Sequence, residues 1–273
     1  MSLFEAFVLG IVQGLTEFLP ISSTAHLRIV PALLGWKDPG AAYSAVIQLG
    51  TVVAVLAYFW RDIIKLTRAF LRGIVDRAPF GTEDSRLAWF VGLGTIPISI
   101  MGLLFKAQIK GSLRSLYVMS ASLIILAIVL FFVERYASHK RTLGDLTLKD
   151  GIIVGLWQAL ALIPGSSRSG TTITGALSLG LRREDAARYS FLLSIPATTL
   201  AGLFELKDLL EATSRPPVEA MVVGTVVSFI AGIAAISGLL RFVKTQSMFV
   251  FVVYRIVLAA VIYVLLLTGT IQP

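Results

Sequence analysis

The chain has 273 residues, of which 56% are hydrophobic and only 15% are charged, and its formal net charge is +8. Soluble domains carry about 25% charged residues, so the composition indicates that lipid is the main solvent. The absence of cysteine excludes disulfides, thiolate nucleophiles and cysteine metal sites. A charge of +8 would suggest nucleic acid in a soluble protein. In this chain we expect no nucleic-acid partner and assign the excess Lys and Arg to cytoplasmic loops.

The predicted elements are six apolar helices and two broken apolar segments. Each of the six is long enough to cross about 30 Å of hydrocarbon. They are Ala41–Trp60, Leu87–Phe105, Leu116–Val133, Tyr189–Phe204, Val218–Leu240 and Met248–Leu267. The broken segments are Leu3–Gly35 and Gly151–Gly180, which polar turns interrupt at Pro20 and Pro164. Because hydroxyls and an arginine cannot face lipid, we predict that both are re-entrant helical hairpins.

Charge asymmetry predicts the orientation of these elements. If the hairpins do not cross, fifteen of the 24 Lys and Arg lie on one side and six on the other. The basic loops are Arg61–Arg86, Arg135–Lys149, Arg182–Arg188 and Arg241–Lys244. The other side holds both termini, Lys37, Lys106–Arg114 and Lys207–Arg215. The positive-inside rule makes the first side cytoplasmic, so we expect both termini outside. Arg28, Arg168 and Arg255 remain within the membrane, and Arg255 has no evident acidic partner.

The two broken segments also resemble each other. Gln13–Thr24 aligns with Gln158–Ser169 with one gap, and a Tyr-Ser pair follows each segment. Each half then holds one hairpin and three crossing helices, and an odd number of crossings inverts the second half. The predicted fold class is an all-α polytopic membrane protein with an inverted-topology repeat. It forms a single membrane domain, with repeats at about 1–134 and 150–273, and its polar tips should meet near mid-membrane.

Glu17 is the one carboxylate that we place deep in the membrane. A charged residue there costs roughly 2.5–3.5 kcal/mol on insertion scales and indicates function. Gln13 lies one helical turn earlier on the same face. The oxygens of these two side chains suit a hard cation, Mg²⁺ or Ca²⁺. The alternative is that Glu17 pairs with an arginine for structure alone.

The second polar turn places Arg168 among small residues. Gly165 lets the backbone approach a ligand closely. The N-terminus of the following helix and the planar guanidinium both suit phosphate. The turn therefore predicts a phosphate cradle, with a hydrated polar turn as the alternative. The hydroxyl residues expected to bind substrate there are Ser166, Ser167, Ser169 and Thr172.

The first polar turn carries Ser22, Ser23 and Thr24, followed by His26. Histidine serves as a general base, a general acid or a nucleophile toward phosphorus, and it activates a serine within reach. If this turn faces Glu17 and the arginine of the other tip, the combined residues predict phosphoryl transfer. We expect Ser22 and Thr24 to bind the substrate. The alternative for His26 is a helix-cap or packing role.

Two further residues have weaker interpretations. Arg28 either steers an anionic headgroup or extends its charge to the interface. His139 lies in a basic cytoplasmic loop, where we expect it to be solvated.

Three motifs, Gln13–Glu17, Phe18–His26 and Pro164–Thr172, resemble those of the undecaprenyl-diphosphate phosphatase (bacitracin-resistance protein) family. The likeness covers essentially the whole chain. It implies an enzyme of the bacterial inner membrane that removes one phosphate from undecaprenyl diphosphate at the periplasmic face, with a divalent cation. This reaction recycles the lipid carrier of cell-wall synthesis and blunts bacitracin. The chain length preferred, the choice between Mg²⁺ and Ca²⁺, and the formation of a homodimer stay open.

The resemblance also implies roles by position. Gln13 and Glu17 match the family's metal-associated element, and Ser23 and His26 match its catalytic hydroxyl and histidine. Arg168 matches the arginine that grips the diphosphate. The hydroxyls beside it are Ser167, Ser169 and Thr172. Many members have Glu where this chain has Gln13, so the neutral amide leaves the charged role to Glu17.

Several alternatives stay open from sequence. The nucleophile is Ser23, His26 or water. A transporter or flippase of polyprenyl phosphate lipids is the main rival function, because inverted repeats with broken helices are common in transporters. An acid-phosphatase-like lipid phosphatase is disfavoured, because that class has a catalytic histidine downstream of its Ser-Arg and none follows Ser167-Arg168.

Overall fold

The structure is a computed structural model that describes residues 1–111, 113, 115–211 and 216–272. These residues are mostly α-helical. The helices are α1 (Leu3–Phe18), α2 (Ser23–Leu33), α3 (Gly40–Tyr58), α4 (Trp60–Val75), α5 (Glu83–Leu104), α6 (Lys106–Lys110), α7 (Leu116–Tyr136), α8 (Leu148–Ala159), α9 (Arg168–Ser178), α10 (Arg183–Glu211), α11 (Val218–Phe242) and α12 (Phe249–Leu267). Arg114 and residues 212–215, which the charge count assigns to the outer side, lie outside the described residues.

Both broken apolar segments form helical hairpins. The longest of their helices, α1, has 16 residues, which span about 24 Å at 1.5 Å per residue. The helices α2, α8 and α9 are shorter still. None of the four reaches across about 30 Å of hydrocarbon. Within each hairpin the two helices pack together, α1 on α2 and α8 on α9. Re-entry on the same side of the membrane stays a prediction.

Among the described residues, four helices are long and apolar enough to cross a membrane, namely α5, α7, α11 and α12. The pair α3 and α4 adds a fifth if it counts as one bent span. The sixth predicted span, Tyr189–Phe204, lies inside α10, which does not meet the same test. Large apolar side chains such as Val257 and Leu267 are exposed on the helix surfaces, where lipid would cover them. The fold class of an all-α polytopic membrane protein is therefore confirmed.

Two expectations about the connecting segments are wrong. The stretch expected as the loop Arg61–Arg86 contains α4, which is bent by 71° from α3 and packs on α5. Its charged residues alternate with apolar ones at helical spacing, so the charge count alone hides an amphipathic helix. His139, expected to be solvated, is half-buried, with Nε2 3.1 Å from the Glu134 carbonyl oxygen.

Packing between the halves follows a paired pattern. The most extensive contacts of α1 are with α11, and those of α8 are with α5. Glycines permit both close approaches. A Cβ at Gly14 would lie 2.5 Å from the Ala231 Cβ, and a Cβ at Gly155 would lie 2.6 Å from the Gly94 carbonyl oxygen. An inverted duplication requires that the first helix of each hairpin packs on a helix of the other half, as α1 and α8 do. The duplication itself stays a prediction.

Candidate active site

The polar turns of the two hairpins touch each other. Arg168 Nη2 donates to Glu17 Oε1 at 3.0 Å, and the two side chains are only 11% and 7% exposed. Ser169 Oγ donates to the carbonyl oxygen of Leu19 at 3.0 Å. Ser169 Oγ also lies 3.4 Å from the carbonyl oxygen of Glu17, so the two turns contact each other through a buried ion pair and side-chain to backbone hydrogen bonds.

The same backbone device builds both turns. Ser22 has φ 74° and ψ 99°, and Ser167 has φ 68° and ψ 113°. Each is the N-cap residue of the returning helix, and each hydroxyl accepts a backbone N–H bond, from Ala25 or Gly170. A positive φ in a residue other than glycine is strained, and such strain concentrates at functional sites. The helices α2 and α9 thus begin at the place where the turns meet.

A cavity of about 320 Å³ opens between the hairpins and is lined on one side by polar residues. Nine of the residues predicted for the site line it: Gln13, Glu17, Ser22, Ser23, Thr24, Arg28, Gly165, Ser167 and Arg168. Other lining residues, including Leu27, Ile98 and Leu162, are apolar. A cavity lined by both polar and apolar side chains, with two helix N-termini beside it, suits an amphiphile with an anionic head.

Glu17 accepts hydrogen bonds from three side chains of the cavity lining. Ser23 Oγ donates to Glu17 Oε2 at 2.8 Å, and Gln13 Nε2 donates to the same oxygen at 3.1 Å. The other carboxylate oxygen accepts from Arg168. A serine hydroxyl that already donates to a carboxylate has a proton acceptor in place.

His26 lies apart from this network. Its Nδ1 is 2.7 Å from the Ser22 carbonyl oxygen, and its Nε2 is 2.6 Å from the Tyr254 hydroxyl oxygen. The His26 and Tyr254 rings also stack, with centroids 5.6 Å apart. Both ring nitrogens are therefore engaged away from Ser23, and among the described residues His26 is not part of the cavity lining.

Three predicted substrate-binding hydroxyls lie behind the cavity rather than on its wall. Ser166 is fully buried, Ser169 bonds to the first turn, and Thr172 Oγ1 lies 2.6 Å from Ser190 Oγ. Their contacts shape the second turn and fix it on α10. Of the residues predicted to bind substrate in this turn, Gly165 and Ser167 line the cavity, as does Arg168.

Arg28 lies at the rim of the cavity. It forms an ion pair with Asp38 at 2.5 Å, and the two side chains are 26% and 40% exposed. Both residues line the cavity. This position supports the interpretation that Arg28 meets an anionic headgroup at the entrance.

Arg255, for which the sequence offered no partner, is fully buried behind the two turns. Its Nη2 donates to the carbonyl oxygens of Ser166 at 3.0 Å and Ser122 at 3.5 Å. Its Nη1 donates to the carbonyl oxygen of Pro20 at 3.5 Å. Within the described ranges no carboxylate lies within 4.0 Å of it. One guanidinium thus bonds to both polar turns.

The uncharged polar lining residues that the sequence analysis did not predict are Ser44, Gln48 and Thr198. The first two are four residues apart in an otherwise apolar stretch, so they share one face of α3. That polar pair in an apolar helix was the available signal. Thr198 resembles many helix-interior threonines and gives no comparable signal, because its hydroxyl bonds to the carbonyl oxygen of Ser194.

The donor set fits a cation shared with a substrate. In the part of the chain that the structure describes, no group of three or more His, Asp or Glu is placed to hold a metal alone. A carboxylate has about four lone-pair positions, and Glu17 uses three of them, for Gln13, Ser23 and Arg168. Because Mg²⁺ is usually held by one or two carboxylates together with phosphates, the remaining position suits it.

Comparison with known proteins identifies the family of the chain. The family model for the bacitracin resistance protein BacA matches residues 6–261. The chain is 67% identical over 273 residues to the undecaprenyl-diphosphatase of Myxococcus xanthus, covering all of this chain and 92% of that protein. It is 51% identical to the undecaprenyl-diphosphatases of Prosthecochloris aestuarii and Chloroherpeton thalassium, over 282 and 281 residues. Those matches cover all of this chain and at least 99% of each relative. The chain therefore belongs to the bacitracin resistance protein BacA family.

Proposed function

We propose that this membrane protein hydrolyses undecaprenyl diphosphate to undecaprenyl phosphate and inorganic phosphate. The reaction recycles the lipid carrier of cell-wall synthesis and confers resistance to bacitracin. The observation that carries the proposal is the contact of Ser23 with Glu17 in a cavity that Arg168 also lines. These residues supply a hydroxyl, a proton acceptor and a phosphate-binding cation, the parts that phosphoryl transfer needs. The names of the relatives support the same substrate.

In the proposed reaction Arg168 holds the diphosphate. Its Nη2 is bonded to Glu17, while its Nη1 is buried without a hydrogen-bond partner among the described residues. A buried guanidinium nitrogen without a partner is costly, so a phosphate oxygen that accepts from it would be bound strongly. The free N–H groups at the starts of α2 and α9 add further donors.

The chemical step begins at Ser23. Its Oγ attacks the terminal phosphorus, its proton passes to Glu17 Oε2, and the bond to the bridging oxygen breaks, so undecaprenyl phosphate leaves. Water then attacks the phosphorus on Ser23 and its hydroxyl stays with the phosphate that leaves. Glu17 returns its proton to Ser23 Oγ as the bond from phosphorus to Ser23 breaks, and the second proton of the water passes to solvent. The hydrogen bonds of His26 favour Ser23 over His26 as nucleophile, because neither ring nitrogen points to the Glu17 network.

A divalent cation, Mg²⁺ or Ca²⁺, would be held by Glu17 and the Gln13 amide oxygen together with the substrate. When bound it supplies positive charge that offsets the diphosphate. Gln13, a neutral residue, contributes an oxygen ligand without adding negative charge to the site.

The proposed location is the bacterial inner membrane, with the cavity opening toward the periplasm and both termini outside. The unequal distribution of Lys and Arg between the two sides supports this orientation. The lipid tail stays in the bilayer while the headgroup enters between the hairpin turns.

The test is release of inorganic phosphate from undecaprenyl diphosphate by the purified chain in detergent. Turnover that a chelator abolishes and that Arg168→Ala removes is expected. A folded wild-type protein that moves polyprenyl phosphate across vesicles but frees no phosphate would instead indicate the transporter alternative. Detergent solution separates the two, because transport needs two compartments and hydrolysis does not.

A further inference from the structure

Helix α4 has a surface that the proposed phosphatase function does not use. Four exposed apolar residues, Trp60, Ile64, Leu71 and Val75, are each between 40% and 79% exposed. Their spacing of four, seven and four residues places them on one helical face. We call this face the apolar stripe. A contiguous exposed apolar face of this kind marks contact with a membrane or with another protein.

A second stripe of α4 is basic. Arg61, Lys65, Arg68 and Arg72 recur at three- and four-residue intervals, so they lie along one face beside the apolar stripe. All four are exposed. Lys65 pairs with Asp84 at 2.9 Å, and Arg61 lies over the Trp60 ring. For the other two arginines, the described residues provide no carboxylate partner.

The remaining face of α4 fixes the helix on the protein. Ile63 and Leu66 pack against the main core, and the Phe70 ring lies 4.8 Å from that of Trp89 on α5. Asp62 pairs with Arg188 of α10 at 2.5 Å. The helix is therefore held at its 71° bend from α3. If α3 crosses the bilayer, α4 runs much closer to the membrane plane.

We infer that α4 is an interfacial helix that binds anionic phospholipid headgroups. The apolar stripe enters the boundary of the acyl chains, and the basic stripe meets the phosphates beside it. Apolar and basic faces side by side on one helix in the membrane plane are the features that interfacial helices use. Charge selects the occupant, because the exposed basic stripe favours an anionic lipid over a zwitterionic one.

The test measures which lipid touches Trp60. The full chain is reconstituted in phosphatidylcholine vesicles that contain an equal fraction of brominated phosphatidylglycerol or brominated phosphatidylcholine. Bromine quenches nearby tryptophan, and subtracting the signal of Trp60→Phe isolates Trp60 from the other tryptophans. We expect phosphatidylglycerol to quench Trp60 at least about two-fold more strongly, because each basic side chain near an anionic surface favours binding about five-fold.

A matched pair of variants tests the basic stripe itself. Replacing its four residues by Gln should bring the ratio of the two quenching signals to one. The control replaces four exposed cations on other elements, namely Arg135, Lys140, Lys149 and Arg241, and should leave the ratio as in the wild type. Neither set lines the cavity.

Three outcomes would overturn the inference. One is equal quenching of wild-type Trp60 by the two lipids. Another is a control variant that loses the preference as fully as the stripe variant, which would make it a property of the whole surface. In the third, neither lipid quenches Trp60, and energy transfer between labelled chains reports self-association. That result would place a second copy of the chain on the apolar stripe.

Discussion

Ser23 Oγ donates to Glu17 Oε2 at 2.8 Å, across the turn that separates α1 from α2. In the proposed reaction, this contact joins the nucleophile to its base within one hairpin. The second hairpin adds Arg168 to the other oxygen of the same carboxylate. The proposed chemistry therefore uses Glu17, six positions before Ser23, while His26, three positions after it, bonds to Tyr254.

Glu17→Gln should reduce kcat more than His26→Gln. The first change removes the proton acceptor for Ser23, and general-base catalysis contributes about 10²–10⁴-fold. The second change loses bonds to the Ser22 carbonyl oxygen and the Tyr254 hydroxyl, neither of which belongs to the Glu17 network. The measurement is steady-state phosphate release, with circular dichroism to show that both variants fold. A greater loss in His26→Gln, or phosphoryl label recovered on His26 instead of Ser23, would contradict the assignment.

Arg168→Lys should lose most of its activity although the charge is retained. A lysine cannot offer a planar pair of donors, one for Glu17 and one for the phosphate of the proposed substrate. We expect kcat/KM to fall about 100-fold, in line with the loss of one charge-stabilising donor. Arg28→Lys is the control, because a rim cation needs only its charge, and it should retain activity within a few-fold. Equal losses in the two variants would show that charge alone accounts for the Arg168 role.

Arg255→Met should lower turnover without a matching loss of stability. Removing the buried charge recovers its desolvation cost, which offsets part of the free energy lost when the carbonyl oxygens lose their donors. The carbonyl oxygens of Pro20 and Ser166 would, however, lose their shared donor. A small displacement of reacting groups costs up to about 100-fold in rate.

The readouts for Arg255→Met are the thermal midpoint in detergent and kcat. A fall in both by comparable amounts would indicate a structural role only. An unchanged kcat would show that the two turns keep their relative position without this residue.

Gly165→Ala should destabilise the second turn. Gly165 has φ 91°, and a Cβ there would overlap the Met119 carbonyl oxygen and Ser122 Oγ. Strain and overlap together should cost about 2–4 kcal/mol. Gly238→Ala is the matched control. Beyond the adjoining backbone of its own helix, none of the described residues lies within 4 Å of its added Cβ, and helical alanine is favoured by up to about 1 kcal/mol. Denaturation of both variants in mild detergent gives the comparison, and equal midpoints would contradict the prediction.

The sequence predicts the hairpins well, because polar turns within apolar runs have few allowed structures in a membrane. It also predicts that the turns carrying Glu17 and Arg168 meet, because an inverted repeat brings both tips to mid-membrane. Direct pairing of Glu17 with an arginine was the structural alternative, and the structure contains that pair. The partner of Ser23 was not predictable in the same way. Glu17 and His26 are both close to Ser23 in the chain, and the choice depends on Ser22, whose positive φ sets the direction of α2.

Other features depend on tertiary contacts that no local pattern carries. The partners of Arg255 are backbone carbonyl oxygens, which every residue has, so side-chain chemistry could not identify them. Helix α4 was missed because its charges were counted as loop charges. Its apolar residues at helical spacing were the signal that would have predicted a helix.

The Arg255 guanidinium fastens a turn from the first hairpin to a turn from the second. Alternating access by rocking one half against the other would tear these bonds, together with the Glu17 to Arg168 pair. A conformer that carried lipid across the bilayer in that way would hold the two turns apart, so its active site would not be assembled. If one chain performed both hydrolysis and translocation, each activity would require a different conformation.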